Sequence, residues 1–444
     1  MMHCLGLFWQ KITGILSEEE EMADHELTTE EWRAEKRRKK AEMAQRQSLP
    51  YDAKIKRATA LAHEFHDEME KRGFTSHVSV GGLDSIVLTV FLQSIGVDVP
   101  AVSVSCLEDR SNQIVHKALG VTRLHPCKSK RTVINELGFP VISKRIAGKI
   151  DLLQHPTEDN KTVRHAIITG ECGEQGHFAK NSRMKLPQKW LELFGGYENE
   201  NEGVNYHIAP FKVSNKCCYY LKEKPADDWA KEHNSHAFLG LMASEGGQRE
   251  EGIVDHGCNY YGKTVMRSCP FGSFLRNDVL QLALDMDKWY HEHLDVFERK
   301  FHEQPYGRNK DGSFKEYVPV DSIIPSIYGE IRRKPNGDLY TTKAQRTGCS
   351  MCGFGIHMEP RPHRFDRKRE ENPKEWEFLM YKLVKNPETG DEYGWGRVLD
   401  YIGVGWKDVP QTQMTLFDVW NDDELYGRQE ERLRAYAERL EDLT

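Results

Sequence analysis

Between His77 and Ile95 the chain changes its hydrophobic period within a few residues. His77 to Val80 is a short β-branched run that predicts the end of a buried strand. Gly81 and Gly82 follow; without a Cβ, both let the backbone turn sharply and approach a ligand closely. Asp84 and Ser85 then open an apolar run too long for a strand, which predicts a helix. A strand, a Gly-Gly turn and a helix start together aim backbone N–H groups at one point, where the helix dipole also favours an anion. A phosphate is the expected occupant, and an ordinary tight turn between strand and helix is the competing explanation.

The flanking pattern repeats this alternation. From Tyr51 to Arg72, Ile55, Ala58, Leu61, Phe65 and Met69 recur at helical spacing. Pro100 to Ser105 predicts a second strand, Arg110 to Leu119 a helix ended by Gly120, Val121 to Leu124 a third strand, and Arg131 to Leu137 a short helix. Alternating strands and helices imply right-handed crossovers and an α/β fold with a doubly wound parallel sheet. Ligands of such sheets sit at the carboxyl ends of the strands, where Gly81 already lies. Glu108 and Asp109 leave the second strand at the same edge, as candidates for ribose or metal contact or as a solvated turn.

The expected organisation is a charged extension over 1–50, an α/β nucleotide-binding domain over 51–300, an added metal-binding lobe over 301–410 that contains the Cys349-x-x-Cys352 pair, and a tail over 411–444 with a helix. Residues 150–205 are polar and Gly-rich and are expected to form a substrate-side insertion within the α/β domain. Residues 22–50 are charged and predict a solvent-facing helix.

Composition narrows the function classes. The 444 residues are 38% hydrophobic and 30% charged with a net charge of −7, so no global attraction to nucleic acid or anionic membrane follows. Local basic segments exist at Arg33–Lys40 and Arg361–Arg369. No apolar run reaches the length of a membrane span, so no membrane partner is expected. The opening MMHCLGLFWQKITGIL lacks a basic leader and a small-residue cleavage site, which predicts a cytoplasmic protein, with Met22 as an alternative start. Ten cysteines then suit a reducing compartment and metal or catalytic use.

Four of them carry a pattern. Cys349-x-x-Cys352 places two thiols on one turn, a usual half-site for zinc or a cluster. Cys217-Cys218 is an adjacent pair, unusual for zinc, because neighbouring side chains diverge and suit the wider spacing of cluster irons. Small buried thiols without a metal are the remaining option. Lys216 and Lys222 flank the pair, either tuning a cluster or binding substrate phosphate. Cys258 and Cys269 have no partner spacing and read as core; Cys4, Cys106 and Cys127 carry no signal.

Val80-Gly81-Gly82-Leu83-Asp84-Ser85 resembles the SGGxDS pyrophosphate loop (PP-loop) of the ATP-pyrophosphatase superfamily, which includes the phosphoadenosine-phosphosulfate reductases. Val80 replaces the family's first Ser, and Ser79 is the candidate substitute for its hydroxyl. Further segments resemble a subgroup common in bacteria and their phages: Gly138–Lys144, Phe211–Pro225 with the Cys pair, Gly240–Arg249, Pro270–Leu280, Ile327–Ile331 and Arg346–His357 with the CxxC. The likeness spans roughly residues 75 to 405. It implies an adenine nucleotide held by Ser79, Gly81, Gly82, Asp84, Ser85 and Glu108, and catalytic roles for Asp84, Ser85, Lys144 and Arg249. It also implies a [4Fe–4S] cluster on Cys217, Cys218, Cys349 and Cys352, with zinc as the alternative.

Two departures bear on the reaction. The family's reductases attack with a cysteine in a C-terminal Glu-Cys-Gly tail, yet no cysteine follows Cys352; Glu171-Cys172-Gly173 occurs mid-chain instead. Met242 and Gly246 stand where the family's sulfonucleotide site carries Arg and Ser, although Arg249 remains. Fewer cationic and hydroxyl groups weaken binding of a sulfated nucleotide. The expectation is therefore ATP with Mg²⁺, cleaved at the α-phosphate to adenylylate an acceptor for sulfur transfer, with tRNA or DNA as candidate acceptors. A sulfonucleotide reductase and a non-catalytic nucleotide-sensing adaptor are the alternatives. Gln413-Met414-Thr415-Leu416-Phe417 resembles the short peptide by which bacterial replication proteins dock on the sliding clamp, a further candidate partner.

Overall fold

The computed structural model describes residues 29–171, 184–198, 206–349, 351–386 and 389–408. Cys4, Cys172, Gln413–Phe417 and the expected tail helix lie outside the described residues. The described strands, in chain order, are β1 (Thr75–Ser79), β2 (Ala101–Ser103), β3 (Thr122–Arg123), β4 (Val141–Ile142), β5 (Ser235–Leu239), β6 (Asn259–Tyr261), β7 (Met266–Ser268), β8 (Ile331–Arg333), β9 (Leu339–Thr341), β10 (Gly353–Phe354), β11 (Val384–Lys385) and β12 (Glu392–Tyr393).

The chain forms two compact units and passes between them after His125, Glu223 and Gly348. Unit one comprises the chain up to His125 together with Lys224–Gly348. Unit two comprises Pro126–Glu223 and the chain from Cys349 onward. Residues 301–348 thus fall in unit one, and 126–223 in unit two.

Unit one is built on a six-stranded sheet of order β3-β2-β1-β5-β7-β6. Every neighbouring pair is parallel except β6 with β7, which gives an α/β architecture with a mostly parallel sheet. The order runs outward from β1 to β3 on one side and resumes at β5 on the other, so β1 is where the winding reverses. Helix Leu83–Ser94 is apolar on nearly all sides, and Leu83 and Ile86 to Leu92 are buried. That pattern belongs to a helix enclosed by other elements rather than to a surface one. It packs against helix Arg276–Glu292. The predicted stripe from Tyr51 becomes helix Tyr51–Lys71, with Ala58, Phe65 and Met69 fully buried.

Helix Thr29–Gln47 is polar on nearly every side. Met43 is its buried anchor, packed with Ile253 and Cys258, and Lys40 pairs with Glu250 at 3.0 Å.

Unit two has its own core around Phe139, Trp190, Phe194, Phe211, Phe365 and Trp395. Helices Lys161–Thr169 and Gln188–Phe194, from the stretch expected as an insertion, supply Ile167, Trp190 and Leu191 to it. Strands β4 and β10 pair in parallel, Val141 against Gly353. No described helix is long and apolar enough to cross a membrane.

Candidate functional site

Gly81 and Gly82 leave the carboxyl end of β1, and helix Leu83–Ser94 begins at once, its N-cap residue Gly82 having no side chain to cap it. Ser85 organises the turn from within. Its Oγ accepts from the Gly81 N–H at 2.7 Å and donates to the Gly82 carbonyl at 2.9 Å. His116, fully buried, donates from Nε2 to the Gly81 carbonyl at 2.8 Å and is held through Nδ1 by Ser105 Oγ at 3.0 Å. The turn is therefore fixed before any ligand arrives.

Glycine is required here by close approach. A Cβ on Gly82 would lie 2.5 Å from Tyr328 Oη and 2.9 Å from Thr347 Oγ1. A Cβ on Gly240, directly after β5, would lie 2.9 Å from the Asp84 carbonyl carbon and the Ser85 nitrogen. Tyr328 Oη accepts from the Leu83 N–H at 3.0 Å and meets Thr347 Oγ1 at 2.7 Å. Asn112, fully buried, donates from Nδ2 to Thr347 Oγ1 at 3.3 Å, while its Oδ1 has no hydrogen-bond partner among the described residues. Burial pushes the Tyr328 phenol up to about 12, so it stays neutral and can accept from Leu83 while donating to Thr347.

Charges ring the same turn. Asp84 pairs with Arg276, whose other Nη donates to the Gln345 carbonyl at 3.2 Å. Glu245 has a side chain only 6% exposed and pairs with Arg249 and with Arg346. Burial raises the Asp84 carboxyl above its ordinary value; Arg276 opposes that rise and Glu245 adds to it. Three guanidinium groups thus share two carboxylates beside a helix start, an arrangement suited to a polyanion. Glu108 is buried close to Gly81, with Oε1 3.6 Å from where a Gly81 Cβ would stand. Ser79 faces His77, Oγ to Nε2 at 3.5 Å, and Val80 is buried in the core.

The thiols belong to unit two. Cys217 and Cys218 directly precede a π-helical turn, Tyr219–Glu223, a distortion often found at functional sites. The CxxC closes a turn in which the Cys352 N–H donates to the Cys349 carbonyl at 3.0 Å. Met351 within it has φ of 56°, the left-handed region that side chains rarely adopt. Burial pushes the Cys217 thiol strongly up, helped by repulsion from Cys218, Cys352 and Cys349 and opposed by Lys130. Burial likewise pushes Cys218 up to about 12, with Lys144 opposing and Cys352 and Cys349 adding to the rise. The fold has therefore gathered all four sulfurs into one electrostatic neighbourhood.

Burial and mutual repulsion both oppose thiolates there, and a bound cation would offset both effects. The donors are not closed into a shell: among the described residues no group of three or more His, Cys, Asp or Glu is arranged to hold a metal ion. Lys144 opens helix Lys144–Gln154, pairs with Glu223 at 2.5 Å, and belongs with the thiols of unit two.

Sequence patterning does not single out Tyr328, Thr347, Arg276, Glu245 or His116. Tyr328 and Thr347 stand inside the quoted IYGEI and RTGC segments, but nothing local marks their hydroxyls as partners of a turn more than two hundred residues earlier. Cys258 and Cys269 are buried as expected, and their backbones pair, the Cys269 N–H donating to the Cys258 carbonyl at 2.8 Å. Comparison of the chain with family models, with curated proteins and with solved structures found no match.

Proposed function

We propose that this protein binds ATP at Gly81–Ser85 and transfers the adenylyl group to an acceptor, as the likeness to the PP-loop of the phosphoadenosine-phosphosulfate reductase family implies. The observation that carries this reading is the start of helix Leu83–Ser94, placed by the Gly-Gly turn at the point where the sheet's winding reverses. In open α/β sheets that point is where ligands bind.

The backbone N–H groups at the turn would take the β- and γ-phosphates, and Arg249, Arg276 and Arg346 would balance their charge. A nucleophilic oxygen of the acceptor then attacks the α-phosphorus. The bond from that phosphorus to the bridging oxygen breaks, and pyrophosphate leaves with the electron pair. Asp84 is the residue that would hold Mg²⁺, which neutralises charge on the departing pyrophosphate.

In unit two, Cys217, Cys218, Cys349 and Cys352 would hold a [4Fe–4S] cluster, or zinc in its place. A cluster there would supply a sulfur carrier or an electron relay, and zinc a structural tie. Within the basic segment Arg33–Lys40, Arg33 and Arg37 are exposed and would offer contacts to a nucleic-acid acceptor, whereas Lys36 pairs with Asp255, Arg38 with Glu35 and Glu42, and Lys40 with Glu250.

One observation favours a second reading, a nucleotide-sensing adaptor. Tyr328 occupies the Leu83 N–H and Arg276 occupies Asp84, so two groups needed for catalysis already have partners. Anaerobic purification, iron and sulfide analysis, and a pyrophosphate-release assay with ATP separate the two. Nucleotide binding without pyrophosphate release, across tRNA and DNA acceptors, selects the adaptor. Thiol-dependent sulfite release from adenylyl sulfate would instead identify a reductase.

A further inference from the structure

Arg276 is placed where a cation is poorly served by its own helix. It is the first residue of the seventeen-residue helix Arg276–Glu292, at the positive end of the dipole. Local forces offer no reason for a guanidinium at that position. Its partners come from elsewhere in unit one: Asp84 in the first turn of helix Leu83–Ser94, and the carbonyl of Gln345.

The helix start is capped without it, because Asp278 accepts from the Leu275 N–H at 2.7 Å and also binds Lys54 at 2.6 Å. Arg276 is thus not needed to cap the helix. Its side chain is 32% exposed, so part of the planar fork remains open to solvent while one end holds Asp84. The charge balance nearby is uneven. Arg249 and Arg346 share the single carboxylate of Glu245, and Arg276 has Asp84.

We propose that Arg276 is a phosphate-binding residue of a nucleoside polyphosphate site, which exchanges Asp84 for a phosphoryl oxygen when the nucleotide enters. The inference rests on the nucleotide-binding reading of the Gly81–Ser85 turn. Paired as it is here, the guanidinium neutralises Asp84, whose charge would otherwise repel the incoming phosphates. On binding, the arginine turns to the polyphosphate, where its fork can make two parallel charge-assisted bonds, and the Asp84 carboxylate becomes available to the accompanying divalent cation. One residue therefore couples anion entry to cation entry. No covalent step is involved, and the exchange conserves charge pairing throughout.

The test uses the full chain and titration calorimetry with ATP, with and without Mg²⁺, alongside Mn²⁺ binding followed by electron paramagnetic resonance. Arg276→Ala should weaken Mg·ATP binding by roughly tenfold or more. The same variant should bind Mn²⁺ alone more tightly, because the competing cation has left Asp84. Arg276→Lys keeps the charge but loses the fork, so it should recover only part of the ATP affinity; this variant carries the test if the alanine form does not fold. A purely structural ion pair would lower the melting temperature and move neither affinity. Wild-type protein that binds Mg·ATP, with variants that bind it equally well, would overturn the role of Arg276 alone. Wild-type protein that binds no ATP would overturn the nucleotide reading, and the role of Arg276 with it.

Discussion

Tyr328 Oη stands 3.0 Å from the backbone nitrogen of Leu83, so a phenol 245 positions further along the chain closes the turn that a phosphate would enter. That hydroxyl also meets Thr347 Oγ1 at 2.7 Å, and the two together fill the space that a Gly82 side chain would take. The turn is preformed and covered at once.

Removing the cover should favour the ligand. Tyr328→Phe loses a buried hydrogen-bonded hydroxyl, which should cost about 1 kcal/mol of stability in denaturant unfolding. The freed Leu83 N–H should at the same time tighten nucleotide binding by several fold. Unchanged affinity in a folded Tyr328→Phe protein would mean that the phenol does not stand in the ligand's way.

Gly240 makes a contrasting case, because its neighbour is backbone rather than a movable side chain. A methyl group there would press on Asp84 and Ser85 at 2.9 Å, and neither chain can yield without shifting β5 or the helix start. Gly240→Ala should destabilise unit one by about 2 kcal/mol and weaken nucleotide binding more than its loss of stability explains. Normal binding and stability in that variant would show that the close approach is not needed.

For the thiols the check is elemental. Cys217→Ser and Cys352→Ser proteins, purified without oxygen, should lose bound iron, sulfide and the associated visible absorption. They should also unfold more readily, since a site formed only in the folded chain contributes to folding. One zinc without sulfide in the wild-type protein would replace the cluster with a structural metal, and no metal at all would remove both.

Acid should destabilise unit one through His77. The ring is 2% exposed, bonds Ser235 Oγ through Nδ1 at 2.8 Å, and is lowered from its ordinary 6.5 to about 4, by burial first and then by His236 and His233. Because the folded form resists the proton that the unfolded form accepts, stability is fully present above about pH 6.5. It falls as pH drops towards 4 and levels off below that, by about 3 kcal/mol in all. Unfolding curves between pH 8 and pH 4 should show this slope, and His77→Gln should flatten it. An equal slope in that variant would assign the acid sensitivity to other groups.

Much of this architecture acts over short distances and is written in the chain itself. The change of period at Gly81-Gly82, the stripe of Ala58, Phe65 and Met69, and the alternation around β2 and β3 follow from backbone sterics and from burial along one element, both of which operate within a few residues. What surrounds the turn is different in kind. Arg276 reaches Asp84 across 192 positions and Tyr328 reaches the Leu83 backbone across 245, and a side-chain hydrogen bond of that span leaves no period or spacing to read. The strand order that puts β5 beside β1 brings Gly240 onto Asp84, and three passages between the units bring Cys349 and Cys352 to Cys217 and Cys218. Local chemistry therefore determined where a Gly-Gly turn between strand and helix and two thiol pairs lie along the chain. Only the tertiary fold decided which groups face them, because packing chooses partners by position in space rather than by distance along the sequence.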